Sequence, residues 1–254
     1  MKWKMPPYLT AVTPSRKRRF AGRIPWLTGY PSDRKDYNVF SVQPSRSSKL
    51  ASDLSTLTHH QSPTREPHRF TLQQYHSMIE SGILGEQCSV ELIRGELVQK
   101  MVIGNRHAAC VNSLNRLLST QLADSELVSI QNPVSIQDSE PGPDVAVLVF
   151  CDDLYASRRP TSADVRLLIE VADTSLSYDR DVKMPLYAEA GIVEYWIVNL
   201  INDTIEVHRD ARSDGRYGTI LTLERGQRVT PISFITLSFS VDQILGPPAA
   251  SAGA

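Results

Sequence analysis

LLIEVADTSLSYDRDVKMPLYAEAGIVEYWIVNL, residues 167–200, is the stretch on which the reading of this chain turns. Val165–Val171 is a nearly continuous apolar run, as a strand covered on both faces would be, and one acid, Glu170, interrupts it. An unpaired carboxylate is costly to bury, so Glu170 needs a partner. That partner is either a cation in a structural salt bridge, with Arg166 or Arg180 as candidates, or a metal ion shared with a second acid. Lys183–Ala190 reads as a helix closed by Gly191. Pro185, tolerable only in a first turn, sets the helix start close to Lys183. A lysine in the first turn opposes the helix dipole, so another charge should hold Lys183 there. A carboxylate–metal centre at the end of the preceding strand would do so. Tyr195–Asn199 follows as another buried strand, with Tyr187 and Trp196 as core aromatics.

Upstream, Val145–Phe150 is a second apolar strand with Pro143-Asp144 at its mouth. An Asp in such a place is commonly a turn residue or a cap. Beside Glu170 it becomes the second acid of a pair on neighbouring strands. Two such acids with one cation near them are what a metal-dependent phosphodiesterase needs, because hard divalent ions take oxygen ligands and activate water beside a phosphate.

Thr71 is a plausible N-cap for a helix over Leu72–Glu80 that Gly82 ends. Val90–Lys100 predicts a hairpin turning at Arg94-Gly95. Apolar residues at helical spacing from Cys110 to Leu122 predict an amphipathic helix over His107–Leu122. Short strands follow near Leu127–Gln131 and Val134–Gln137, and Ile205–His208 with Thr219–Leu223 suggests a closing antiparallel ribbon. The order predicts an α/β sandwich with a mixed central β-sheet flanked by helices. Three further residues could attend the two acids. His107 either points to water at the start of its helix or sits beside the acids as a supporting contact. Glu91 and Glu96, on the hairpin, are surface acids either of which could complete a metal shell.

Charge divides the chain. Residues 1–66 hold twelve Lys/Arg against four Asp/Glu, with many Ser and Pro and no apolar periodicity. That leaves fifteen against twenty-four in residues 67–254. The first part reads as a disordered basic extension whose Arg16-Lys17-Arg18-Arg19 could touch nucleic acid or membrane phosphates. Residues 67–246 read as one domain, and 247–254 as a flexible end. No apolar run is long enough to span a bilayer, and the N-terminus lacks the apolar core of a secretory signal. Cys88, Cys110 and Cys151 are odd in number and widely spaced. They are expected to be buried, reduced thiols of a cytoplasmic protein. There is no P-loop, GxGxxG, G-x-S-x-G or HExxH.

From about Phe70 to Leu245 the chain resembles the Uma-two family of endonucleases, a branch of the PD-(D/E)XK restriction-endonuclease-like superfamily. The resemblance is carried by Val90-Glu91-Leu92-Ile93-Arg94-Gly95-Glu96, by Arg106-His107 opening a helix, by Glu140-Pro141-Gly142-Pro143-Asp144, and above all by residues 167–200. It implies a core of a mixed four-stranded sheet flanked by helices, and metal-dependent phosphodiester cleavage. Asp144 falls on the family's first acid and Glu170 on its second. The superfamily's lysine, two residues after the second acid, is here Ala172, and Lys183 on the following helix takes its place. Residues 1–66 have no counterpart.

The expectation is therefore an endonuclease in which Asp144, Glu170 and the Val171 carbonyl hold Mg²⁺ or Mn²⁺, and Lys183 orients the attacking water or stabilises the phosphate. The partner is nucleic acid, DNA before RNA, with a homodimer possible and no membrane. A domain so acidic is poorly suited to gripping DNA, unless Arg106, Arg116, Arg158 and Arg159 line a groove or the basic extension supplies the grip. The rival is a non-catalytic interaction module that keeps the nuclease fold. Convergence of Asp144, Glu170 and Lys183 discriminates between the two.

Overall fold

The structure is a computed structural model that describes residues 67–85 and 88–248. Arg16–Arg19 and the whole extension to residue 66 lie outside the described residues. Thr71 caps α1 (Leu72–Glu80) reciprocally: its hydroxyl accepts from the Gln74 amide at 3.2 Å, and the Gln74 side chain accepts from the Thr71 amide at 2.9 Å. The hairpin forms from β1 (Val90–Ile93) and β2 (Glu96–Gln99). Arg94 and Gly95 both take positive φ, 49° and 76°, as a two-residue hairpin turn of primed type requires. A side chain at Gly95 would stand 2.8 Å from Cβ of Arg69, so glycine is needed for space as well as for twist.

Helix α2 (Asn105–Gln121) is followed by β3 (Glu126–Ile130), β4 (Val145–Val149) and β5 (Val165–Ala172). A helical stretch then runs through α3 (Leu176–Tyr178), a π-helical turn (Asp179–Lys183) and α4 (Met184–Glu189). The chain continues through β6 (Glu194–Asn199), β7 (Thr204–Arg212) and β8 (Arg216–Glu224). It closes with the short ladder of β9 (Arg228–Val229) and β10 (Phe239–Ser240), then α5 (Val241–Leu245). Strands β3 to β8 form one six-stranded mixed sheet in chain order, larger than the four strands expected. Only β5 and β6 are parallel, and the helical stretch between them is the crossover that parallel pairing needs.

The alternation of side chains splits the buried residues between the two faces. Val145, Val147, Leu167, Ile169, Val171, Trp196 and Val198 pack with Leu114 and Leu118 of α2 and with Ile244 of α5. Ala146, Leu148, Leu168, Ala172, Tyr195 and Ile197 pack with Leu186, Tyr187 and Ala188 of α4. Glu170 alternates onto this second face, beneath the crossover.

Three expectations need correction. Val134–Gln137 is not a strand: it makes only isolated bridges, Ser135 to Thr161 and Ile136 to Ser139, because the chain turns back at Gln137 (φ 48°). The helix does not start near Lys183 but at Leu176, and the π turn is the reason. There the Met184 amide bonds back to Asp179, one residue further than in an α-helix. The widened turn accommodates the ring of Pro185 next to it. Lys183 is thus mid-stretch, held by side chains rather than placed against a helix end. Finally, the cysteines are all free but not all buried: Cys88 is exposed and Cys151 half-buried. Only Cys110 is inside, its thiol pushed up to about 12 by burial. No helix among the described residues is long and apolar enough to cross a membrane.

Candidate active site

The C-terminal end of β5, the start of β4, the open end of the hairpin, the first turn of α2 and the π turn meet around a cleft of about 560 Å³. Its lining includes Glu91, His107, Asp144, Glu170, Asp179 and Lys183. Asp144 sits where β4 begins, and Gln131 holds it from both sides. The Gln131 amide donates to the Asp144 carbonyl at 3.1 Å, and its side-chain amide to Asp144 Oδ1 at 3.3 Å. Asp144 Oδ2 accepts from the Val171 amide at 2.8 Å and from His107 Nε2 at 2.9 Å. The carbonyl of a strand residue leaves on the same edge as its amide, so the Val171 carbonyl faces the Asp144 side, beyond the last β4–β5 pair, Val145 with Ile169.

Glu170 is 3% exposed. Its Oε1 accepts from Lys183 Nζ and from the Tyr187 hydroxyl, each at 2.9 Å. Its Oε2 has only a long contact, 3.4 Å, from the Asp144 amide. Glu91 lies on the other side of the lysine. Its Oε1 is 3.8 Å from Nζ and 3.4 Å from the Tyr178 hydroxyl, while its Oε2 accepts from the Gly142 amide at 3.1 Å, steadying the loop that delivers Asp144. Asp179, 2% exposed, accepts from the Ser175 hydroxyl at 2.6 Å.

Four acids that are buried or nearly so therefore share one lysine and one histidine. Burial, with Asp144 and Asp179 near by, pushes Glu170 up to about 8 despite the attraction of Lys183. Burial also raises Asp179. Burial alone would lower Lys183, but Glu170, Glu91 and Asp179 outweigh it and hold the ammonium firmly protonated. The same contest favours charge at the other pair. The hydrogen bond and charge of Asp144 raise His107 against burial, and His107 in turn holds Asp144 below its usual range. The four acids outnumber the two cations, and the cluster meets part of that excess by holding protons on Glu170 and Asp179 to higher pH.

Of the residues singled out in the sequence, Asp144, Glu170, Lys183, His107, Glu91 and the Val171 backbone come together here. Glu96 does not: it lies at the turn end of the hairpin, about half exposed, paired with Arg69 at 3.0 Å. Nor do the arginines proposed for a groove line this cleft. Arg106 pairs with Asp203 and the Leu200 carbonyl, Arg158 pairs with Asp164, Arg159 stands 3.7 Å from Glu140, and Arg116 is exposed on α2. Arg180 is bound to Glu206 rather than Glu170. Sequence reasoning missed Tyr187, Tyr178, Asp179 and Gln131. Tyr187 was within reach, since it follows Lys183 by four residues and so shares its helical face.

The donor set suits a hard divalent cation. No three His, Cys, Asp or Glu side chains stand in ligand geometry among the described residues. Glu170 Oε2, Asp144 Oδ1 and the Val171 carbonyl are nevertheless the under-used oxygens of an over-acidic site. A Mg²⁺-like ion commonly takes one or two carboxylates and keeps several waters.

A family model described as "Uma2: Putative restriction endonuclease" matches residues 72–242. Among solved structures the chain is similar to one described as "Crystal structure of a putative nuclease belonging to DUF820 from Anabaena variabilis ATCC 29413". The two share 16% identity at a TM-score of 0.54, over 69% of this chain and 97% of that one. At that identity the likeness speaks for the fold. No curated protein matches.

Proposed function

The chain belongs to the Uma2 family, described as restriction endonucleases, and from that premise we propose that it cleaves nucleic-acid phosphodiester bonds with a divalent metal in the cleft. The observation that carries this reading is the acid surplus around Glu170 and Asp144 on the floor of that cleft. A phosphodiester would be repelled by such a floor unless a cation stood between them. Asp144, Glu170 and the Val171 carbonyl are the groups that would hold the ion. Once bound, Mg²⁺ or Mn²⁺ supplies Lewis-acid polarisation of the phosphate and a more acidic water.

The remaining work falls to the chain. His107 keeps Asp144 ionised and fixes its ring-facing oxygen, leaving Oδ1 for the cleft. Tyr187 and Lys183 pin one oxygen of Glu170 and leave the other directed at Asp144. The Lys183 ammonium, protonated and lining the cleft, is placed to orient an attacking water or to stabilise charge building on the phosphate. Glu91 holds both Lys183 and the Gly142 backbone, coupling the hairpin to the loop that presents Asp144.

The test is cleavage of a mixed panel of DNA and RNA, single- and double-stranded, with Mg²⁺ or Mn²⁺, comparing the parent with Asp144→Ala. Metal-dependent cleavage by the parent and none by the variant is the expected result. Equal cleavage by both would remove Asp144 from the chemistry. No cleavage of any substrate by the parent would favour an interaction module that keeps the nuclease fold.

A further inference from the structure

The central sheet has two edges, and they are protected very differently. Strand β3 is five residues long, each partly covered, with α2 against it and Pro133 close beyond it. Strand β8 is nine residues long and is exposed at every position from Gly218 to Thr222. β7 pairs along one side of it at every residue but Gly218, and among the described residues no strand pairs along the other. Natural edge strands are usually blunted by lysine, proline, a bulge or a cover, because a free row of N–H and C=O groups templates another strand. Tyr217–Leu223 contains no charged residue and no proline. Ile220 and Leu221, on opposite faces, are 55% and 43% exposed.

Of its own residues only the two at the ends are charged, while the Asp210–Arg212 pair of β7, closed on itself at 3.0 Å, lies over Gly218. Arg216 opens the strand and Glu224 closes it, both exposed, and neither side chain makes a salt bridge among the described residues. The two are equally distant from Ile220, one four residues before it and one four after. If β8 meets its own copy antiparallel across a two-fold axis at Ile220, each Arg216 lies opposite the partner's Glu224. Ile220 then faces its own copy, and Tyr217 faces the partner's Leu223. Opposite charges directly across an antiparallel ladder stabilise the pairing, and like charges oppose it. The strand is thus complementary to itself in backbone, apolar content and charge at one register.

We infer that β8 is a self-association edge. Two copies join β8 to β8, antiparallel about Ile220, and extend two sheets into one. The occupant is a second copy rather than a foreign strand, because the unpaired charges at the strand's ends match each other. This inference is independent of the cleavage chemistry, since β8 lines no part of the cleft.

The experiment is a concentration series of the full chain by sedimentation equilibrium or light scattering after gel filtration. The expected mass is twice that of one chain. Ile220→Lys brings two like charges onto the axis and should yield single chains. Arg216→Glu alone, or Glu224→Arg alone, faces like charge with like and should weaken association at least about tenfold. The variant carrying both changes should restore it, a rescue that a merely destabilised fold would not give. Because all three positions are exposed, circular dichroism should match the parent, and Tm should match it at concentrations too dilute for association. Single chains at every concentration overturn the inference, including the case in which residues 1–66 occupy the edge. So does a dimer that survives Ile220→Lys or ignores both single reversals.

Discussion

Glu170 and Glu194 are both buried glutamates on adjacent parallel strands, but they stand at opposite ends of the sheet, on opposite faces, and in opposite states of compensation. Glu194, fully buried at the start of β6, has every oxygen engaged. Oε1 accepts from Trp196 Nε1 at 2.9 Å and from Arg209 Nε at 2.8 Å, and Oε2 accepts from the Ile232 amide at 2.8 Å. Glu170, at the far end of β5, crowds both its strong partners onto one oxygen and shares its only lysine with other acids. A buried charge is tolerable when paired and hydrogen-bonded. Glu194 meets that standard and acts as a structural tie between β6, β7 and the loop after β9. Glu170 falls short of it beside an open cleft, and that shortfall is what the metal ion proposed above would make good.

The widest separation between the two should come from cutting the tie. Glu194→Ala leaves Arg209, the Trp196 indole and the Ile232 amide without their shared acceptor. Folding stability should fall by about 3–5 kcal/mol. Denaturant titration checks the size, and cleavage per folded molecule should be unchanged. A loss near zero would mean that the two glutamates do not differ in the way their contacts indicate.

Next in size is the loss at the other pole. Lys183→Met keeps the stem and removes the ammonium. Cleavage should drop by about two orders of magnitude or more, the scale of one stabilising donor. The fold should survive, because Glu170, already raised toward neutrality, can take up a proton in place of its lost partner. The rise in Tm expected of the parent on adding Mg²⁺ should persist in the variant, since a cation does not ligate a cation. Parental cleavage by the variant would leave Lys183 as a purely structural counter-ion.

Much of this contrast was legible before folding. An acid in the middle of Leu167–Val171 announces a buried carboxylate that needs a partner, and Pro143-Asp144 at the head of an apolar run marks the second strand end. The hairpin followed from Arg94-Gly95, and α2 from its apolar period. What stayed hidden shares one cause. Ser177-Tyr178-Asp179-Arg180-Asp181 reads as a polar turn, yet the π turn rotates Asp179 and Lys183 inward together, and local propensity does not encode that widening. Glu194 was equally obscure, because its partners Arg209 and Ile232 lie 15 and 38 residues away. The ribbon of Ile205–His208 with Thr219–Leu223 was foreseen, but its joining to the central sheet and the length of β8 depend on pairing, which composition does not show.

An effect of opposite sign should follow from neutralising Glu170. Its folded-state pKa of about 8 lies above the ordinary 4.5, so the folded chain binds the extra proton. Stability of the metal-free protein should therefore fall as pH rises from about 4.5 to about 8. Glu170→Gln mimics the protonated form. Without metal it should be more stable than the parent by roughly 3 kcal/mol at neutral pH, and the gap should close as pH falls toward 4.5. Mg²⁺ should stabilise the parent by mass action, and the variant should lose that response. If the variant is less stable than the parent at neutral pH, Glu170 is as well compensated as Glu194. If it still responds fully to Mg²⁺, it is not a ligand.

The smallest effect belongs to Glu96, and it tests whether acidity alone, without burial, has any bearing on the site. Glu91 and Glu96 belong to one hairpin, Glu91 opposite Val98 and Glu96 opposite Ile93. The cleft is lined from the open end, by Glu91, Val98 and Lys100, whereas Glu96 stands by the turn. Its pair with Arg69 is more than half exposed on both sides, where water and salt screen most of the attraction. Glu96→Ala should change stability by less than about 0.5 kcal/mol and leave both cleavage and the Mg²⁺ response at parental values. Glu91→Gln, by contrast, removes a charge that faces Lys183 and should lower cleavage. Should Glu96→Ala impair cleavage while circular dichroism and Tm stay parental, the substrate would have to pass over the hairpin tip. A deficit of buried compensation would then no longer suffice to locate the reacting end of the sheet.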